Sequence, residues 1–384
     1  MTIARAQLID QDTPAVYHCI SRCVRRAFLC GWDSYSSRDY EHRRQWVRDR
    51  LEELSRSFAV DVLAYAVMNT HGHEVLRNRP DLAATWEDEE VALRWLRIFP
   101  RRGPVDGTPM PEPERSDIER IVRDSKRVQQ LRRRLSDISW FMRALNEWMA
   151  RRANREDGCK GRFWEGRFKC QRLLDESAIL TCMCYVDLNP VRAAMATSLE
   201  DSLFTSAYDR IMARRARESE AGAPASEAAS EAAEVRSGSA DPDADPGAGP
   251  SFMAATAQAR SSQQLSSPED LHRADWLVSL DGADSPFGAL MGETEYLWLV
   301  DWTGRQLREE KPGAIDPRVA PILESLGLDG GQWAKTVRGY RKLFWQAAGN
   351  AESLGKFATR MGRRWLKGQV ASRVAFLDSP QPVA

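Results

Sequence analysis

Two histidines separated by one residue, His71-Gly72-His73, are the first pair of side chains in this sequence spaced for joint metal chemistry. In an extended segment residues i and i+2 project to the same side, about 6.8 Å apart along the strand, a span that two imidazoles can bridge to one ion. A second constellation is Tyr185 with Asn189, four residues apart and therefore on one helix face in successive turns, with Ala178 and Cys182 behind them. A phenol is a poor nucleophile at neutral pH unless a cation stabilises its anion. Two histidines holding a divalent ion, with the Asn189 amide as third ligand, would supply that stabilisation and polarise a phosphate oxygen. Without a metal, the same residues read as ordinary core or surface histidines, a core tyrosine and a helix-ending asparagine. A third feature is the stretch 143–172, where nine basic residues meet four acids and are interleaved with Trp148, Phe163, Trp164 and Phe168. Arg152, Arg155, Arg162, Arg167, Lys169 and Arg172 would track phosphates while Trp164 stacks on unpaired bases. The competing reading is a solvated helix face beside core aromatics.

Positioning these groups requires a framework, and the pattern gives one. Residues 16–22 have strand composition, 37–58 have helical period, 60–68 form a second strand and 73–77 a third. Residues 80–135 read as a polar, helical insertion. Residues 136–154 form an amphipathic helix with Ile138, Met142, Leu145 and Met149 in line, 161–174 a Gly-punctuated hairpin, and 176–188 a helix stopped before Pro190. The class is α+β: an antiparallel sheet with helices on one face.

The chain has 384 residues, enough for two or three domains. Its 55 basic and 55 acidic residues cancel, which taken alone argues against a polyanionic partner. The cancellation is uneven. Residues 1–217 carry a net +6, 218–275 carry −8, and 276–384 carry +2, with a local excess of +9 over 331–376. The segment 218–275 is rich in Ala, Ser, Gly, Pro and acids, and is expected to be a disordered linker. It divides a module 1–217 from a mainly helical basic module 276–376 and a tail 377–384. Of the basic residues 8 are Lys and 47 Arg; Arg suits bidentate phosphate contacts, and a GC-rich genome gives the same bias. Seven irregularly spaced cysteines suggest buried reduced thiols rather than disulfides or zinc. No apolar run reaches the ~20 residues of a membrane span, and the first residues lack a signal peptide's apolar stretch, so a cytoplasmic chain is expected.

Together, Tyr17-His18-Cys19-Ile20-Ser21-Arg22, the strand Tyr65-Ala66-Val67-Met68 leading into His71-Gly72-His73, Gly161-Arg162-Phe163-Trp164-Glu165-Gly166-Arg167-Phe168, and Tyr185-Val186-Asp187-Leu188-Asn189-Pro190-Val191-Arg192 occur in an order that resembles REP-associated tyrosine transposases, members of the HUH-type single-tyrosine insertion-sequence transposases. The resemblance covers roughly residues 16–210. It implies a ferredoxin-like or RRM-like domain, Mg²⁺ or Mn²⁺ on His71 and His73, Tyr185 as the nucleophile, Asn189 as third ligand or phosphate contact, and single-stranded or hairpin DNA as partner, with monomer and homodimer both open. The implied activity is a single-stranded DNA endonuclease and strand transferase working through a 5′-phosphotyrosine in DNA transposition. Two positions depart from the family pattern: Thr70 stands where a proline-asparagine pair usually ends, and Gly72 where a bulky apolar residue is usual. A Gly72 strand lacks one core anchor and is expected to be looser. These departures keep a second reading open, a domesticated DNA-binding protein that recognises repeats without cutting them.

Overall fold

The structure is a computed structural model that describes residues 5–24, 29–33, 37–101, 112–222, 270–308 and 317–376. Four strands and two helices build its centre in chain order: β1 (Ala15–Arg22), the helix Arg43–Ser57, β4 (Val60–Val67), β5 (His71–Asn78), the helix Ile138–Glu156 and β6 (Lys169–Leu173). Short strands β2 (Trp32–Asp33) and β3 (Arg38–Asp39) pair with each other, and β7 (Ala347–Ala348) joins the main sheet from the C-terminal part. The sheet order is β4-β5-β1-β6-β7, antiparallel except for the β6-β7 edge. Without β7 this is the ferredoxin-like arrangement, with β5 and β1 central and the two helices packed together on one face.

The expected helical layer on one face is joined by a second layer on the other. One core holds Tyr17, Cys19, Val60, Val62, Tyr65, Val67 and Leu76 against the helices Arg43–Ser57 and Ile138–Glu156. The opposite core holds Val16, Leu63, Ala64, Ala66, Val75 and Leu173 against the helix Glu176–Asp187 and aromatics of residues 276–376. Burial on both faces explains why β4 reads as a nearly continuous apolar run instead of alternating. A bulge between Val62 and Ala64 in β4 shifts which residues face which core.

The expected division of the chain at residues 218 and 275 does not coincide with a division of the core. The helix Ser206–Gly222 continues five residues beyond Arg217. Beyond the acidic segment, Val278 N–H donates to the Val62 carbonyl at 3.0 Å. Arg210, buried, donates to the Val278 carbonyl at 2.8 Å and to Glu293 at 3.0 Å. The helix Gly330–Leu343 packs on Glu176–Asp187. Residues 276–376 contribute Tyr296, Trp302, Trp333, Tyr340 and Phe344 to the opposite core, which runs without a break into the sheet. Of the expected disordered linker 218–275, residues 218–222 are helical and 270–275 form an ordered turn, because Arg273 pairs with the buried Asp209; residues 223–269 lie outside the described residues.

The expected hairpin over 161–174 does not close on itself. Trp164 bridges to Cys23, Glu165 N–H donates to the Arg22 carbonyl, and β6 pairs with β1. The strand therefore extends the pairing of β1, while Gly161 at φ 137° turns the chain in a conformation open mainly to glycine. Trp164 Nε1 donates to the Asn146 carbonyl at 2.8 Å, which holds the segment against the helix Ile138–Glu156.

The strand at Gly72 is not loose. Gly72 lies opposite Ser21 of β1 and Val67 of β4, paired on both sides. A Cβ there would sit 2.7 Å from Glu74 Oε1, so the carboxyl of Glu74 occupies the place of the missing anchor. Glu74 is buried without an ion-pair partner among the described residues, and burial pushes its carboxyl up to about 8 from near 4.5. The folded state therefore keeps a proton that the unfolded chain releases above about pH 4.5. The associated stability is present below that value and is lost as pH rises toward 8. Glu74→Gln is expected to be more stable than the unaltered chain at pH 8 by on the order of a few kcal/mol and nearly equal to it at pH 4.5. Urea unfolding at the two pH values measures this, and parallel pH profiles would contradict it.

Candidate functional site

The two-faced sheet decides which side chains meet. On β1 the residues His18, Ile20 and Arg22 share a face, and antiparallel pairing sets Ile20 against His73 and Arg22 against His71. On β6, Gln171 lies opposite His18 and Lys169 opposite Ile20. All of these point to the face covered by the helix Glu176–Asp187, whose Asp175 side chain caps it through Ala178 N–H at 2.9 Å. The cap and the stop at Asn189-Pro190 set the helical phase that turns Tyr185 toward the histidines.

The result is a ring cluster. His71 and His73 centroids are 4.9 Å apart, His73 and Tyr185 5.8 Å, and His18 and Tyr185 6.0 Å. Tyr185 also meets Tyr340 at 5.1 Å, and the Arg192 guanidinium lies 4.4 Å from its ring centroid. Tyr185 is only 3% exposed, covered by Tyr340 of the helix Gly330–Leu343. Arg192 is tied to that helix through the Arg338 carbonyl at 3.0 Å.

Hydrogen bonds order the side chains of the cluster. Gln171 Nε2 donates to the Trp345 carbonyl at 3.1 Å, and a carbonyl can only accept, so the amide orientation is set. Its Oε1 accepts from the Tyr340 hydroxyl at 2.7 Å, and Gln171 lies opposite His18 across the strand pair. His18 Nε2 and His73 Nδ1 are 2.8 Å apart and share one hydrogen bond, its direction set by which ring carries the proton. His73 Nε2 is buried and has no partner among the described residues. His71 has Thr70 Oγ1 at 3.1 Å from its Nδ1, which leaves its own Nε2 available. Thr70, a departure at the sequence level, thus orients a ring. Burial, with Arg22 and Arg341 nearby, lowers His71 to about 4; burial and Arg341 lower His18 to about 3. Both rings are neutral at pH 7, the form that ligates metals.

In front of His71 lies a cavity of about 240 Å³ lined by Ile20, Arg22, His71, Glu165, Gly166, Arg167, Lys169 and Arg341. Four cations and one carboxylate surround it, a charge balance that suits a phosphate. His73 and Tyr185 sit one layer behind this lining.

Of the residues singled out from the sequence, the structure brings together His71, His73, Tyr185, Arg167 and Lys169. Asn189 is buried on the adjoining turn, where its Oδ1 accepts from Arg192 at 3.4 Å and its Nδ2 has no partner among the described residues. No bond joins it to either histidine among the described residues. Arg152 lies over the Trp46 ring at 4.0 Å, and Arg155 and Arg162 are exposed and are not among the residues that line the cavity in front of His71. Arg172 is half-buried between Asp10, Tyr17 and Phe357, a structural placement. Trp164 is half-buried against Phe163. Reading the sequence missed His18, Arg22, Gln171 and Tyr340, and placed Arg341 only as a possible phosphate contact of a separate C-terminal module. His18 and Arg22 share the i, i+2 parity that singled out His71 and His73, a signal that was present. Nothing local marks Tyr340 or Arg341 as neighbours of Tyr185. Among the described residues no group of three or more His, Cys, Asp or Glu side chains is arranged to hold a metal. That is consistent with His18 spending its Nε2 on His73, so that two histidines would need an amide or water to complete a site. All seven cysteines are free, five buried, Cys170 half-buried and Cys159 exposed.

Comparison with known proteins adds little to this geometry. No family model matches the sequence, and no curated protein matches it. Among solved structures, a REP-associated tyrosine transposase bound to a REP hairpin is similar at 13% identity and a TM-score of 0.31. The match covers 63% of this chain and 100% of that one. So low a score transfers neither fold nor function, and the chemistry rests on this chain's own side chains.

Proposed function

We propose that the chain is a DNA strand-cleaving and strand-transferring enzyme of the tyrosine type, acting on single-stranded or hairpin DNA with Mg²⁺ or Mn²⁺, as in DNA transposition. The observation that carries this reading is the meeting of His71, His73 and Tyr185, brought from two distant stretches of sequence, behind a cavity rimmed by Arg22, Arg167, Lys169 and Arg341. His71 and His73 would hold the ion through Nε2, with Asn189 as the proposed third ligand. A divalent ion there would polarise a backbone phosphate and ease departure of its 3′ oxygen. The four cations would seat the phosphate. Tyr185 would form the new phosphorus–oxygen bond as the bond to the 3′ oxygen breaks, leaving a 5′-phosphotyrosine and a free 3′-hydroxyl. Attack by a 3′-hydroxyl on that link would rejoin strands with no external energy. Arg192 sets a positive charge beside the attacking ring. The Tyr340 helix must shift for the ring to reach a phosphate, since Tyr185 is covered in this structure.

The test is incubation of a labelled hairpin oligonucleotide with the full chain in Mg²⁺ or Mn²⁺ and, in parallel, in EDTA. A covalent protein–DNA adduct that requires the metal is expected. Absence of any adduct would remove the enzymatic reading.

The burial of Tyr185 under Tyr340 favours a second reading, a DNA-binding protein without catalysis. It expects salt-sensitive binding that is indifferent to EDTA and to His71→Ala, with no adduct under any condition.

The hydrogen-bond chain behind His73 gives a further expectation. Gln171→Leu removes the side chain that bonds Tyr340 and Trp345 and lies opposite His18, and Mn²⁺ affinity measured by calorimetry is expected to fall about 10- to 100-fold. Unchanged affinity would show that these bonds have no hold on the metal.

A further inference from the structure

The C-terminal part carries a groove that the proposed chemistry does not use. It has a volume of about 700 Å³ and lies between the helix Gly330–Leu343 and the segment 365–375. Lys335, Lys342, Lys367, Trp365, Val370 and Val374 are among its lining residues, and no carboxylate lines it among the described residues. Trp365 is 68% exposed, and Trp345 at the adjoining turn is 64% exposed, with Lys367 Nζ 5.4 Å from its ring centroid. Two indoles open to solvent beside three lysines are costly to leave bare. Flat faces flanked by cations match one ligand chemistry well, unpaired bases on a phosphate backbone. A duplex keeps its base faces stacked and offers the indoles little.

The position relative to the candidate site points the same way. Arg341 lines the cavity in front of His71, and its neighbour Lys342 lines the groove, so one helix end contributes to both. A strand leaving the cavity reaches the groove by crossing that helix end. We infer that the groove between Gly330–Leu343 and residues 365–375 is a second binding site for single-stranded DNA, with Trp345 and Trp365 as stacking platforms and Lys335, Lys342 and Lys367 as phosphate contacts. The choice of DNA rests on the proposed function; the groove itself does not depend on Tyr185 chemistry.

The experiment uses the full chain with Tyr185→Phe, in EDTA, and a fluorescein-labelled oligothymidylate of about 15 nucleotides. The double variant Trp345→Ala and Trp365→Ala is expected to raise Kd about tenfold or more, and the Phe versions of the same positions to retain most of the affinity. Lys335→Ala with Lys342→Ala is expected to lower the salt dependence of binding. Unchanged affinity in the double alanine variant, with circular dichroism showing a normal fold, overturns the inference. So does a groove variant that dissolves a self-associated form, seen by light scattering, while leaving oligothymidylate affinity intact, since the groove would then hold a second copy of the chain. A hairpin adduct with no effect of the tryptophan variants refutes the groove alone. Loss of oligothymidylate binding in those variants, with no adduct in the unaltered chain, refutes the nuclease alone.

Discussion

Tyr185→Phe is expected to bind hairpin DNA as the unaltered chain does and to form no covalent adduct with it, a loss on the order of a thousandfold or more. The substitution removes one oxygen and keeps the ring, so the contacts with His18, His73, Tyr340 and the Arg192 guanidinium survive. Little stability should be lost, and a melting curve beside the adduct assay separates lost chemistry from lost fold. The adduct should map by mass spectrometry to Tyr185 in the unaltered chain. A map to Tyr340, whose ring lies 5.1 Å away, would transfer the nucleophile's role to the C-terminal helix; an undiminished adduct in Tyr185→Phe would exclude Tyr185 outright.

The largest effect on folding is expected at Asp209, which is far from any chemistry. Its carboxylate is fully buried and accepts from Arg48 Nε at 3.0 Å, Arg273 Nε at 2.6 Å and the Tyr65 hydroxyl at 2.7 Å. These partners come from the helix Arg43–Ser57, from β4 and from the described C-terminal end of the acidic segment. A buried ion pair contributes modestly, but removing one member leaves the others charged in a poorly solvating place. Asp209→Ala leaves the buried Arg48 with Glu52 as its remaining close carboxylate and breaks the bonds to Arg273 and Tyr65, and is expected to cost about 3–5 kcal/mol by urea denaturation. A cost under about 1 kcal/mol would mean that water reaches the arginines once the carboxylate is gone.

Much of this architecture was legible in the residues because it depends on local pattern. The helix 176–188 was marked by composition and by Pro190, and the strand at 60–68 by its apolar run; both stand within a residue or so of expectation. The His71 and His73 pair was legible for the same reason, since strand parity is a local rule. The hairpin at 161–174 was misread because glycines mark a turn without saying which strand the returning segment will choose, and here β1 offered a free edge. Gly72 suggested a loose strand because its compensation is Glu74, a residue that sequence reasoning would place in solvent. The anchoring of Gln171 was invisible, since it depends on Tyr340 and Trp345 arriving from more than a hundred and fifty residues away.

That arrival has a consequence for how the chain tolerates being cut. β7 runs parallel to β6, with the Arg172 N–H donating to the Gln346 carbonyl at 3.0 Å and the Leu174 N–H to the Ala348 carbonyl at 2.9 Å. Asp175 caps its own helix and also accepts from Asn350 N–H at 2.8 Å. Edge pairing, a shared cap and a shared core join the two parts through bonds made by residues outside 223–269. A protease that cuts within 223–269 would leave these bonds in place, and the two pieces would behave as a split protein whose halves complete one sheet.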